Sequence, residues 1–157
     1  MLWSVPAPPK RPVSTPPSLV VGAVAAAATT GALIAIGHRL GSIGVPFAEI
    51  SAALFRRTAS GGEAGLVFAG LVLHVAFMLL WSAVFVWLVA RVRWRPVVAA
   101  VVVAIGAQAL SWLIAWSTGR GIATVVPLGD RIVLAIALAI SLVIGIRFAL
   151  LPREMPD

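Results

Sequence analysis

Among the polar side chains inside the long apolar stretches of this sequence, four are the first candidates for chemistry. They are Thr30, His74, Gln108 and Ser111. Imidazole accepts, donates and carries protons, while amide and hydroxyl groups hydrogen-bond either a ligand or a neighbouring helix. Counted at about 1.5 Å of helix per residue, the four lie at similar depths in their stretches. The sequence therefore predicts one buried polar layer around His74.

This polar layer has two interpretations. In the first, it is a substrate or proton site around His74, because polar groups inside a membrane often mark function. In the second, the side chains only hydrogen-bond between helices, at about 0.6 kcal/mol per bond. We favour the second interpretation, since no apolar stretch contains Asp or Glu and proton-coupled transporters usually rely on a carboxylate.

Haem is a further alternative, because b-type haem is often held by two histidines. His38 follows the first apolar stretch, and His74 lies about ten residues into the second, roughly 15 Å deeper. Two nitrogens that ligate one metal ion lie only about 4 Å apart. We therefore expect no resident cofactor, although a tetrapyrrole held by one histidine and shared with a partner stays an alternative.

Nothing in the sequence predicts an enzyme. The chain has no cysteine, which excludes thiolate nucleophiles, iron–sulfur clusters and cysteine-ligated zinc. It also lacks the GxSxG and HExxH motifs and a glycine-rich phosphate loop. Glu49 is the only acid near His38 in sequence. We expect no catalytic residue and no metal site.

Four long apolar stretches must position these side chains. They cover residues 19–37, 64–90, 97–117 and 132–150. Each has about twenty residues or more, enough for a helix to cross roughly 30 Å of hydrocarbon. Hydrophobic residues make up 61% of the chain and charged residues 11%, with the charges clustered between the stretches. The sequence predicts an all-α integral membrane protein, an antiparallel four-helix transmembrane bundle within residues 18–151.

The ends of the chain are predicted to lie outside this bundle. Residues 1–17 hold six of the eleven prolines, and proline lacks the amide donor of regular structure, so we expect a disordered arm. Residues 152–157 form a short tail. A basic arm before an Ala-rich run also suggests a signal peptide, whose apolar region has about 7–15 residues. The run continues to Gly37, so we interpret it as an uncleaved span.

The first loop contains a predicted short amphipathic helix at residues 46–57. One face is apolar, with Phe47, Ile50, Ala53 and Leu54, and the charged residues lie elsewhere on the helical wheel. The segment is too short and too charged to cross a membrane. We expect it to lie at the membrane interface.

Charge predicts the surroundings and the orientation. The chain has a net charge of +7, and its basic residues lie mainly at the ends of the spans, where they meet lipid head groups. We therefore expect the protein to interact with a lipid bilayer and not with nucleic acid. The face with both termini carries seven basic residues and the other five, which predicts cytoplasmic termini. Eleven of the twelve basic residues are Arg. This GC-rich codon usage indicates a bacterium, and hence its inner membrane.

Three functions are compatible with these features. The leading hypothesis is a non-enzymatic accessory or structural subunit, which binds other membrane subunits or copies of itself through small-residue helix faces. The second is a small oligomeric transporter or channel that uses the layer around His74. The third is a haem or pigment carrier, and no sequence motif distinguishes the three.

Overall fold

A computed structural model describes residues 16–55 and 64–150 of the protein. Within these ranges the chain forms six helices and no strand. They are α1 (Pro17–Arg39), α2 (Val45–Phe55), α3 (Ala64–Ala90), α4 (Pro96–Thr118), α5 (Ile122–Val125) and α6 (Leu128–Leu150). Most of the predicted arm and the whole C-terminal tail lie outside the described residues, as do residues 56 and 57 of the predicted amphipathic helix.

The four long helices have the length and composition needed to cross a membrane. They coincide with the predicted spans, which confirms the all-α membrane bundle. Two helices begin where proline is tolerated, since Pro17 and Pro96 occupy first helical positions. The last helix begins four residues earlier than predicted, at Leu128, and it carries Asp130 in its first turn, where the helix dipole favours a carboxylate.

The long helices follow the order α1, α3, α4, α6 around the bundle. Helix α1 packs most extensively against α6 and α3, while α3 and α4 contact each other least among neighbours. Close approach depends on small residues: a Cβ added at Gly145 of α6 would lie 2.9 Å from the Cα of Val21. The pairs Gly22–Leu79 and Thr29–His74 show that α1 and α3 run antiparallel.

Buried apolar side chains form two clusters at different heights. The larger one joins α1, α3, α4 and α6 towards the short α3–α4 connection and includes Val21, Phe85, Val103 and Leu142. The smaller one lies towards the opposite end and joins α1, α2 and α6 with the segment before α6. Thr29 and His74 are buried between them, at the height where α3 and α4 separate.

Helix α2 docks on the first turns of α3. The backbone carbonyl of Phe47 lies where a Cβ on Gly70 would be, so only glycine permits this approach. The Ser51 hydroxyl donates a hydrogen bond of 2.8 Å to the Leu66 carbonyl of α3. The predicted apolar face is divided between two neighbours, because Phe47 packs on α3 and Ile50 faces a cavity described below. The sequence did not predict that α2 packs on α3. The position of α2 at the membrane interface stays a prediction.

Two polar contacts join elements at this end of the bundle. Glu49 of α2 accepts a hydrogen bond from the backbone N–H of Gly121 at 3.3 Å. Gly121 has a φ of 116°, a backbone conformation that residues other than glycine rarely adopt. Arg39 at the end of α1 forms a salt bridge with Asp130 at the start of α6. The first contact holds α2 beside the segment between α4 and α6, and the second joins the end of α1 to the start of α6.

Candidate functional site

A cavity of about 470 Å³ lies among α1, α2, α3, α4 and α6. Its inner part is bounded by buried residues, including Thr29, His74, Met78 and Leu138. Its outer part is bounded by Leu54 of α2 and Ile114 of α4, whose exposed fractions are 62% and 36%. The cavity therefore extends from the interior of the bundle to the surface between α2 and α4.

The walls of this cavity are mainly aliphatic and aromatic. Helix α2 contributes Ile50, Ala53 and Leu54, and the apolar lining of α1, α3, α4 and α6 consists of Leu33, Leu73, Phe77, Met78, Ala107, Ile114, Leu134 and Leu138. The polar lining side chains among the described residues are Thr29, His74, Gln108, Ser111, Thr118 and Arg131. No carboxylate lines the cavity in the described part of the chain.

His74 and Thr29 form a hydrogen-bonded pair between α3 and α1. The Thr29 Oγ1 lies 3.0 Å from the His74 Nε2 and 2.7 Å from the Ala25 carbonyl oxygen. A hydroxyl has one proton, and the carbonyl can only accept, so Thr29 donates to Ala25 and accepts from His74. The Nε2 atom therefore carries a proton. In a neutral ring the other nitrogen, Nδ1, is then an acceptor.

Phe47 of α2 completes the surroundings of the imidazole. Its ring meets the His74 ring edge-on, with centroids 6.2 Å apart and an angle of 74° between the planes. This is the preferred arrangement of interacting aromatic rings. Three helices thus fix the position of His74: α3 carries it, α1 bonds it and α2 packs on it.

The structure brings three of the four predicted polar residues to the cavity. His74, Gln108 and Ser111 line it, while Thr30 does not and is half-buried. Ser111 donates to the Ala107 carbonyl of its own helix at 2.9 Å. The Gln108 amide has no hydrogen-bond partner among the described residues, and it also borders a second groove between α4 and α6.

Three polar residues of the cavity, Thr29, Thr118 and Arg131, were not expected in the polar layer. Thr29 lies where Thr30 was expected. Residues three and four positions after Ala26 both lie on the same helix face as Ala26, so the spacing alone does not choose between Thr29 and Thr30. Arg131 lies just outside the predicted fourth span, residues 132–150. In the structure it belongs to α6 and lines both the cavity and the α4–α6 groove. The available sequence signal was Asp130, because a carboxylate in the first turn of a helix places the next residue inside that helix.

The two histidines are not brought together. His38 is exposed at the end of α1, nine residues after Thr29, which is about 14 Å of helix. Thr29 in turn contacts His74. No group of three or more His, Asp or Glu side chains that could hold a metal ion exists in the described ranges. The geometry therefore does not present a pair of histidines to one haem iron.

Comparisons with known proteins leave the site to be interpreted by its own chemistry. No protein-family model, no curated protein and no solved structure matches this chain. The fold and the cavity define its class, a multi-pass helical membrane protein with an internal, mainly apolar cavity.

Replacing Thr29 with Val tests the hydrogen bond to His74. The change keeps the shape of the side chain but leaves the Nε2–H without an acceptor, so we expect a loss of about 1 kcal/mol in the free energy of unfolding. The measurement is unfolding in mixed micelles at increasing denaturing detergent.

The matched control is Thr30→Val, one residue further along α1. Thr30 makes no side-chain hydrogen bond with any described residue, so its stability should stay within about 0.5 kcal/mol of the unmodified protein. Equal losses in both variants would contradict the assigned pair.

Proposed function

We propose that this protein is a non-enzymatic membrane protein that binds an amphiphilic small molecule in its internal cavity. The observation that carries the proposal is the cavity itself, with about 470 Å³ of space inside a bundle of four spans. Ligand sites typically enclose about 300–1,000 Å³ and combine apolar walls with a few polar groups. Size and lining both fall within this description.

The chemistry of the walls favours an amphiphile over a polar solute. Burying a polar molecule against the aliphatic side chains of α1, α3 and α6 would leave its polar groups without partners, at a cost of about 1–3 kcal/mol each. The apolar chain or ring system of an amphiphile that enters the cavity would instead exchange contacts with lipid for contacts with these side chains. The few polar side chains, Gln108, Ser111 and Arg131 among them, suit one polar head group.

The Thr29–His74 pair supports binding rather than catalysis. A hydroxyl nucleophile must donate its proton to a neighbouring base. In this pair the direction is opposite, because the Thr29 hydroxyl donates its hydrogen bond to the Ala25 carbonyl and accepts one from the imidazole. The pair therefore acts as a structural link between α1 and α3.

Among the three hypotheses from the sequence, this proposal is nearest to the small transporter. A binding site that opens between α2 and α4 is what a carrier of lipophilic molecules requires. The leading hypothesis, an accessory or structural subunit, stays a prediction without a structural observation that favours it. Neither a carrier nor an accessory subunit needs a catalytic residue.

Filling the cavity with a large side chain tests the proposal. Ser111→Phe adds a ring to the cavity wall and removes only a hydrogen bond within its own helix. We expect it to abolish saturable binding of photoactivatable lauryl-chain probes, both laurate and lauryl alcohol, to the protein in phosphatidylcholine nanodiscs. Covalent adducts that unlabelled ligand competes away are counted by intact-protein mass.

The matched control is Ser117→Phe, at the exposed end of the same helix and outside the cavity. It should label like the unmodified protein. The proposed function fails if the unmodified protein gives no saturable adduct with any lauryl probe, or if Ser111→Phe labels as strongly as Ser117→Phe.

We also propose that the protein lies in the inner membrane of a bacterium with both termini in the cytoplasm. Arginine-rich composition and the excess of basic residues on the face of the termini support this. Two positions at opposite ends of α4 report on the orientation: Arg91, in the α3–α4 connection, and Gly129, in the first turn of α6.

In intact cells, a thiol reagent that does not cross membranes is expected to label Gly129→Cys and not Arg91→Cys. The chain has no other cysteine, so the signal belongs to the introduced one. Permeabilised cells should label both variants. Labelling of Arg91→Cys alone in intact cells would reverse the orientation, and labelling of both would contradict the four-span topology.

A further inference from the structure

We infer that the cavity selects an anionic amphiphile, with a carboxylate or phosphate head bound by Arg131 and a single hydrocarbon chain in the cavity. This inference rests on the proposed binding function and adds the chemical class of the ligand. Three observations carry it. Arg131 lines the cavity, its buried Nε atom has no hydrogen-bond partner among the described residues, and the acids Asp130 and Glu49 are bonded to other groups.

Arg131 is the one charged side chain among the described residues that line the cavity. Its Nε atom is buried and has no hydrogen-bond partner in the described part of the chain. A guanidinium is always charged and has five N–H donors in a planar fork. A buried donor without an acceptor costs about 1–3 kcal/mol, and more when the group is charged. The site therefore favours an acceptor, above all an anion.

The two carboxylates in the described ranges are engaged elsewhere. Asp130, next to Arg131 in sequence, is paired with Arg39. Glu49, on α2 at the same end of the bundle, accepts from the backbone N–H of Gly121. No salt bridge joins Arg131 to an acid among the described residues. Neither acid lines the cavity, so the described residues place no carboxylate against its positive charge.

Gln108 adds a second donor beside this charge. Gln108 and Arg131 both border the cavity and the α4–α6 groove, so they occupy the same part of the wall. The Gln108 amide also has no partner among the described residues. A guanidinium and an amide donor together match the two or three oxygens of a carboxylate or phosphate.

The remaining wall suits the hydrocarbon chain. Leu33, Leu134, Leu138 and Met78 continue from the level of Arg131 towards the interior. A neutral lipid alcohol would fill this space equally well but would leave the guanidinium without an anion. The charge on the head group is therefore the property that the site distinguishes.

The experiment compares three photoactivatable probes with the same chain: laurate, lauryl phosphate and lauryl alcohol. Each is titrated against the full-length protein in phosphatidylcholine nanodiscs at a pH where laurate is ionised. We expect at least one of the two anions to bind about tenfold more tightly than the alcohol, since a charge-assisted hydrogen bond contributes at least that factor.

Arg131→Gln should lower the affinity for the preferred anion about tenfold or more and leave the affinity for the alcohol unchanged. Arg131→Lys should retain part of the preference, because it keeps the charge but not the fork. Arg120→Gln is the matched control, since Arg120 lies in the α4–α5 connection on the same side and does not line the cavity. It should bind all three probes like the unmodified protein.

Three outcomes separate this inference from the proposed function. Saturable binding of all probes without a preference for either anion overturns the inference and leaves the proposed function intact. An anion preference that Arg131→Gln and Arg120→Gln reduce equally assigns the effect to surface charge and also overturns it. The absence of saturable binding by any probe overturns both. If Arg131→Gln does not fold, the comparison of Arg131→Lys with Arg120→Gln decides.

Discussion

The close contact between the backbones of α2 and α3 determines where this bundle is open. Without a side chain at Gly70, the Phe47 carbonyl reaches the surface of α3, and Ser51 bonds the Leu66 carbonyl one turn further on. In this position α2 presents Ile50, Ala53 and Leu54 to the space between α3 and α4. A cavity results where a regular four-helix bundle would have closed its core.

The polar residues inside the bundle divide into two groups with different tasks. Thr29 and His74 bond each other and hold α1 against α3, as expected of polar links in a membrane, where lipid offers no other partner. Gln108 and Arg131 have no such partners among the described residues. Under the proposed function, the two interpretations apply to different residues: Thr29 and His74 support the structure, and Gln108 and Arg131 would contact the ligand.

Hydropathy was sufficient to predict the four spans, because length and apolar composition are all that a membrane helix requires. The faces of these helices were harder to predict. In α1, small residues surround both Thr29 and Thr30, so sequence spacing cannot select the one that faces α3. In α2, an apolar face is compatible with lipid and with protein, and only the missing side chain of Gly70 decides between them. Arg131 directly precedes the apolar stretch 132–150, where a basic residue usually marks the end of a span, so hydropathy does not place it inside the helix.

The account depends most directly on α2 lying against the segment between α4 and α6. The Ala53 Cβ lies 3.6 Å from the place of a Cβ on Gly121, within the range of about 3.5–4.5 Å for disulfide-bonded residues. The chain has no native cysteine to compete. A cysteine at Gly121 itself would strain the backbone at its positive φ. Oxidation in membranes is therefore measured on the double variant Ala53→Cys/Ile122→Cys, because Ile122 is the next residue, begins α5, which packs on α2, and lines the same cavity as Ala53. Ala53→Cys/Gly129→Cys is the control, since a Cβ at Gly129 has no neighbour within 4 Å.

We predict that the first pair forms an intramolecular disulfide rapidly and the control pair does not. A first pair that stays reduced, or that oxidises no faster than the control, would show that α2 does not form the wall of the cavity.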